Sequence, residues 1–209
     1  MKKFSIIAAL LISALFIKLY ADHHEGHTAE VGKKAPNFTL NSAKGKTHSL
    51  ADFKGKYVVL EWVNYDCPFV KKHYGSKNMQ KLQKEMTGKD VVWLSICSSA
   101  EGKQGYFTGK ELTDRIAKEG SNATAYLIDA DGKVGKMYGA KTTPHCFVIN
   151  PEGELIYAGG IDDTPSADQE DVKTANNYVK SCIYEALEGK KISTATSKPY
   201  GCGVKYANK

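Results

Sequence analysis

The chain has 209 residues, with 29 Lys plus Arg against 23 Asp plus Glu, a net charge of +6 and 42% hydrophobic residues. That length suits one domain with appendages and falls short of an eight-fold α/β barrel. A mean hydropathy of −0.40 excludes a multi-span membrane protein, and no fixed repeat period marks a solenoid or propeller.

Residues 1–21 stand apart. Lys2 and Lys3 precede an apolar run from Phe4 to Ile17, closed by Lys18-Leu19-Tyr20-Ala21. This is the charge, apolar and small-residue order of a secretory signal. The 14-residue run is shorter than the roughly 20 residues of a transmembrane helix. Cleavage is expected between Ala21 and Asp22, although Leu19 is bulky for its place. The alternative, an uncleaved anchor, is the one reading that gives the chain a membrane partner. Cleavage leaves 26 basic and 23 acidic residues, a net of +3, in a periplasmic or secreted protein. Arg115 is the single arginine. Arginine is the residue suited to bidentate reading of phosphates and bases, so no nucleic-acid partner is expected. All five cysteines (Cys67, Cys97, Cys146, Cys182, Cys202) follow the signal. In an oxidising compartment an odd number leaves at least one thiol unpaired or cycling.

Residues 22–30 (DHHEGHTAE) read as a His-rich tether. With a free amine on Asp22, the segment Asp22-His23-His24 has the donors of a square-planar Cu(II) or Ni(II) site. The alternative is a soluble linker. A globular pattern then covers residues 31–189. Phe38–Leu40 and His48–Leu50 flank a polar segment and predict a hairpin. Tyr57–Val63 (YVVLEWV) and Val91–Cys97 (VVWLSIC) are near-continuous apolar runs, the pattern of strands covered on both faces. The stretch Pro68–Met86 between them suits helix, which implies a right-handed parallel crossover. Glu111–Glu119 reads as a surface helix carrying Arg115, and Ala125–Asp129 as a strand. Asp129-Ala130-Asp131-Gly132 reads as a turn. His145–Asn150 and Glu154–Ala158 form a second hairpin around Pro151-Glu152-Gly153. A last helix is predicted from the stripe Val172, Ala175, Tyr178, Val179, Cys182, Ile183, Ala186 and Leu187, with Asp168, Glu170 and Asp171 at its start and Gly189 as its stop. Residues 190–209 form a tail that holds Cys202. The order of elements predicts an α/β fold: a thioredoxin-like three-layer sandwich with a central mixed sheet, an N-terminal hairpin and a C-terminal helix plus tail.

Cys67 follows a buried strand and opens a helix, with Pro68 in the first turn where its missing N–H costs nothing. Free backbone N–H groups and the nearby Lys71, Lys72 and His73 favour the nucleophilic thiolate. The alternative is a buried structural cysteine.

Several segments resemble the redoxin superfamily, which holds the alkyl hydroperoxide reductase/thiol-specific antioxidant (AhpC/TSA) proteins and periplasmic thioredoxin-like reductases. They are Val31–Leu40 (VGKKAPNFTL), Leu50–Lys56 (LADFKGK) and Val58–Leu60. The segment Glu61–Tyr74 (EWVNYDCPFVKKHY) and the ending Pro199–Tyr206 (PYGCGVKY) are similar to a peroxiredoxin-like subgroup. The resemblance implies thiol redox chemistry at Cys67, with a peroxide or a disulfide as substrate and a thiol as electron donor. Val70 stands where a Cys-x-x-Cys site has its second thiol. Asn64 and Leu60 replace the Thr or Ser and the Pro of peroxiredoxins, and Arg115 has no evident place in the site. The resemblance also implies a cis-proline loop at Thr143-Pro144, facing Cys67 and presenting backbone groups to a substrate chain. Asn64 and Lys71 are expected to help hold the thiolate. For the resolving thiol, Cys202 ranks first because its Gly-flanked tail can move, and a structural Cys182–Cys202 disulfide is the rival. No cofactor is expected, since no Gly-rich phosphate fingerprint follows a strand. The alternative function is a non-enzymatic thioredoxin-fold binding protein such as a copper carrier, although Lys71 stands at the second position of a Cys-x-x-x-Cys metal site.

Overall fold

A computed structural model describes residues 28–207 of the chain. The central sheet has seven strands in the order β2-β1-β5-β4-β3-β7-β8. In chain order these are β1 (Thr39–Ser42), β2 (Thr47–Ser49), β3 (Val58–Trp62), β4 (Val92–Cys97), β5 (Ala125–Ile128), β7 (His145–Ile149) and β8 (Leu155–Gly159). A separate two-stranded ladder joins β6 (Thr142–Thr143) to β9 (Cys202–Gly203). Strands β3, β4 and β5 are parallel, while β7 and β8 add antiparallel on one side and β1 and β2 on the other.

The two-residue period of a strand explains the uninterrupted apolar run of β3. Val58, Leu60 and Trp62 point into one core layer, with Phe147, Tyr138 and Leu155. Val59 and Val63 point into the other, under the helices, with Val70, Met79, Leu112, Val179 and Ile183. Those helices are α1 (Pro68–Gly75), α2 (Asn78–Thr87), α3 (Gly109–Glu119) and, after the short α4 (Lys133–Met137) on the opposite face, α5 (Tyr178–Leu187).

Three elements depart from the sequence expectation. The helix predicted over Pro68–Met86 breaks in two at Lys77, which takes a left-handed φ of 63°. The Ser76 hydroxyl bonds back to Lys72 O at 2.7 Å, and the Gln169 side chain packs directly on Gly75. The last helix starts at Tyr178, not near Val172. Asn177 caps it, its side chain accepting from Lys180 N at 2.8 Å. Asp163 holds Asn176 by backbone and side chain, and Asp162 bridges Asn177, so this stretch is extended. Asp168, Glu170 and Asp171 therefore lie in a loop and a 3-10 turn rather than at a helix dipole. The third is α4, which the sequence pattern misses. Its first turn is set by Asp129, whose carboxylate accepts from the N–H groups of Val134 and Gly135.

The C-terminal segment runs back across the molecule. The Ser197 hydroxyl accepts from Gly160 N at 2.9 Å and lies 2.7 Å from the Tyr157 hydroxyl, β9 pairs with β6, and Lys205 O accepts from Ala100 N at 2.9 Å. Tyr206 lies over Gly132 and Gly135, where any Cβ would strike its ring or hydroxyl.

Candidate active site

Cys67 is the N-cap of α1, with Pro68 at its first position. Its backbone N–H donates to Asn64 O at 3.0 Å and its carbonyl accepts from Lys71 N at 2.9 Å. The thiol Sγ lies 3.1 Å from Thr143 O, across from the cis Thr143-Pro144 bond. Burial opposes ionisation of this thiol. Hydrogen bonds from Cys202 (thiol and backbone), the Thr143 hydroxyl and the Val70 N–H outweigh that, and its pKa falls below the ordinary thiol value. The Thr143 hydroxyl is buried without another partner, so it is available to a sulfur anion.

Cys202 reaches this place through β9. In the antiparallel register Thr143 faces Cys202 and Thr142 faces Gly203. Gly201 lies so close to Thr143 that a Cβ there would sit 2.1 Å from Thr143 O. Burial, and then the neighbouring Cys67, push the Cys202 thiol up to about 11. The two thiols are thus unequal, with Cys67 the one more readily ionised. Within its Gly-flanked tail, Cys202 lies in the two-residue strand β9. All five cysteines are free thiols. Cys182 is buried on α5, and burial raises it to about 12. Cys146 is buried in β7 and is likewise raised by burial. Cys97 closes β4 and bonds to Gly105 O at 3.4 Å.

Two expected thiolate contacts are not made. The Asn64 side chain turns away from Sγ. It donates to Gln104 O at 3.2 Å and accepts from Asp66 N at 2.9 Å, shaping the turn that leads into Cys67. Lys71 is exposed; the buried cation of this helix is Lys72. Arg115 is the reverse case. It sits on α3 but reaches inward, donating to Tyr65 O at 3.0 Å and Asp66 Oδ1 at 2.9 Å while stacking on the Tyr65 and Phe107 rings. It braces the loop before Cys67, a role that no local sequence signal reveals because its partners lie about fifty positions away.

The sequence reading also missed a buried charged network. Lys72 and Asp162, with side chains 0% and 2% exposed, lie 3.5 Å apart. Lys72 Nζ donates to Thr164 O at 2.7 Å. Tyr200 donates its hydroxyl to Asp162 and lies 3.1 Å from His73 Nε2, while Asn78 meets His73 Nδ1 at 2.9 Å. A second buried carboxylate, Glu61 on β3, accepts from Tyr74, Gln83, Trp93 and Ser95. Its pKa is raised by burial, against those four hydrogen bonds.

Among the described residues no three His, Cys, Asp or Glu side chains converge as a metal site. Residues 1–27, and with them the signal and the Asp22, His23 and His24 donors, lie outside the described residues.

Over residues 31–158 the chain matches the AhpC/TSA family. It belongs to that family. This AhpC/TSA protein is 27% identical over 152 residues to thiol-disulfide oxidoreductase ResA of Bacillus thuringiensis subsp. konkukian, covering 72% of this chain and 82% of the relative. It is 28% identical over 142 residues to peroxiredoxin Bcp of Bacillus subtilis, covering 62% and 83%. The thioredoxin domain of a thiol-disulfide oxidoreductase from Bacteroides vulgatus superposes with a TM-score of 0.51 at 21% identity, covering 70% of this chain and 97% of that domain. The fold of this AhpC/TSA protein is thus thioredoxin-like, as its elements predict.

Two buried histidines give the family member a pH-dependent stability. Burial holds His73 at about 4, with Asp162 raising and Lys72 lowering it, and burial with Lys141 holds His145 at about 4. The unfolded chain takes up both protons near pH 6.5 and the native state does not, so stability falls as pH drops from 6.5 to 4. Each histidine contributes roughly 3 kcal/mol of that loss at its lower end. Glu61, raised by burial, has the opposite sign and offsets part. Urea midpoints are expected to drop between pH 7 and pH 4.5, and less so in His145→Gln. Equal midpoints at the two pH values would contradict this.

Proposed function

We propose that the chain is an exported thiol–disulfide oxidoreductase in which Cys67 is the nucleophile and Cys202 the resolving thiol. One observation carries this reading: the Thr143–Cys202 pairing sets a second thiol beside a buried helix-capping cysteine of lowered pKa. The likeness to ResA supports disulfide exchange as the reaction. Cys67 attacks one sulfur of a substrate disulfide and forms a mixed disulfide. Cys202 then attacks Cys67 Sγ, releasing the substrate as a dithiol and leaving a Cys67–Cys202 disulfide. A thiol electron donor restores the pair. Thr143 and Pro144 border the groove, Thr143 also offers its hydroxyl to the thiolate, and Pro68 fixes the first turn of α1. Export follows from the signal-like residues 1–21.

A peroxide is the second substrate to be tested, on the likeness to Bcp and because the same pair serves it. Attack on the O–O bond would give a Cys67 sulfenic acid, which Cys202 condenses to the same disulfide with loss of water. The test is peptide-mapped mass spectrometry of the reduced chain after oxidised glutathione or one equivalent of hydrogen peroxide. A Cys67–Cys202 peptide is expected in wild type; Cys202→Ser should trap a Cys67–glutathione disulfide with oxidised glutathione and a Cys67 sulfenic acid with peroxide, and Cys67→Ser should show no reaction at this site. An untouched Cys67 with peroxide removes the peroxidase step, and an untouched Cys67 with both oxidants removes the whole reading.

A further inference from the structure

Cys67 is 0% exposed. Cys202 of β9 meets it, and Tyr200 packs on Phe69 of the helix that Cys67 caps. The β6–β9 ladder is only two residues long and is separate from the seven-stranded sheet. It can therefore open without disturbing the core strands. The upstream side chain next to β9 is Tyr200, whose ring packs edge-on to Phe69 at 5.9 Å; beyond Tyr200 the chain is fixed at Ser197 to Ala158 and Gly160. The Tyr200 hydroxyl is held by Asp162 and His73. Downstream, Val204 N donates to Lys141 O at 3.1 Å.

The register matters as much as the burial. A strand paired to β6 with a cysteine opposite Thr143 delivers its sulfur to Cys67, as the tail itself demonstrates. An extended peptide in the same register would deliver a substrate sulfur to the same place, but only where β9 now lies. We propose that the tail strand is a lid that occupies, within the same chain, the edge on which a cysteine-bearing extended peptide docks to Cys67, and that Tyr200 latches it. This rests on the oxidoreductase reading and names its substrate class and its gate.

With the lid open, the Cys67 thiolate attacks a peptide disulfide. The S–S bond breaks, and the departing peptide sulfur takes a proton from solvent. Return of the lid brings Cys202, whose thiol gives its proton to solvent as it attacks Cys67 Sγ and frees the second peptide sulfur. The peptide gains two electrons and the chain loses two. Because lid and peptide compete for one edge, closing the lid also expels the product.

The test uses the full reduced chain and site-resolved alkylation by iodoacetamide, compared at the high-pH plateau of the rate. There every Cys67 is ionised, so the rate reports access rather than acidity. Wild-type Cys67 is expected to react at least about 100-fold more slowly than in urea. Tyr200→Phe keeps the ring, removes the latch hydroxyl and is expected to speed Cys67 about 10-fold. Gly201→Ala, whose Cβ would collide with Thr143 O, is expected to speed it at least as much. A synthetic copy of residues 198–206, its cysteine carried as a mixed disulfide with glutathione, should form its Cys67 adduct about 10-fold faster on Gly201→Ala than on wild type. Circular dichroism confirms that each variant is folded. Wild-type Cys67 alkylating as fast as in urea, or both folded variants reacting at the wild-type rate, would overturn the lid. A gain for iodoacetamide with none for the peptide would overturn the docking edge. None of these readouts needs a Cys67–Cys202 disulfide to form. Failure of the lid therefore leaves the oxidoreductase reading standing, and a Cys67 untouched by both oxidants refutes that reading by its own test.

Discussion

Asp162→Ala is expected to destabilise the folded chain by roughly 3–5 kcal/mol, the cost of leaving a buried charge without its partner. Lys72 is the charge left behind. It is fully buried on the helix that Cys67 opens, 3.5 Å from Asp162. The substitution also strands the Tyr200 hydroxyl and the Thr164 N–H, which Asp162 accepts. Removing both charges should be far gentler, because a buried ion pair adds little over an apolar pair of similar volume. Lys72→Met with Asp162→Ala is therefore expected to recover a large part of the single-variant loss. Urea unfolding of the two single variants and the double variant measures this as a cycle. A loss below about 1 kcal/mol for Asp162→Ala, against the several expected for a stranded charge, would show that water reaches Lys72. The same variants bear on the lid, since Asp162 anchors Tyr200.

Glu61→Ala is the second large effect, at about 4 kcal/mol or more, since each orphaned buried donor costs roughly 1–3 kcal/mol. Four donors on three elements converge on this carboxylate: Tyr74 on α1, Gln83 on α2, and Trp93 and Ser95 on β4. Glu61→Gln fills the space but turns an N–H₂ group toward donors, so it should lose about half as much, in line with one or two broken bonds rather than four. Trp93 offers a direct probe, because its indole N–H donates to Glu61 at 2.8 Å. Its fluorescence should shift in both variants and the urea midpoint fall in the order wild type, Gln, Ala. Equal midpoints for Gln and Ala would mean that volume, not hydrogen bonding, is what Glu61 supplies.

The legible parts of the fold were those with local causes. The runs Tyr57–Val63 and Val91–Cys97 read as buried strands because apolar side chains on both faces need no partner to be recognised. Both hairpins and α3 came from turn residues and periodicity in the same way. The errors fall where distant residues overrule local pattern. The stripe from Val172 has helical spacing, yet Asp163 and Asp162 hold Asn176 and Asn177 extended and delay the helix to Tyr178. Lys77 breaks the first long helix just after Gly75 and Ser76, and Gln169 packs at that break from ninety positions away.

The site divides along the same line. By itself the sequence determined the fold class and a cysteine capping a helix after a buried strand, because a strand, a cap and a first-turn proline are neighbours along the chain. Which thiol stands beside Cys67 was decided only by the tertiary structure, through the pairing of Thr143 with Cys202. The inward reach of Arg115 and the burial of Lys72, His73 and Asp162 around the Tyr200 hydroxyl were decided there too. The reason is physical: a charge or a thiol carries no local mark of burial, and its partner is set by how layers far apart in sequence come to pack.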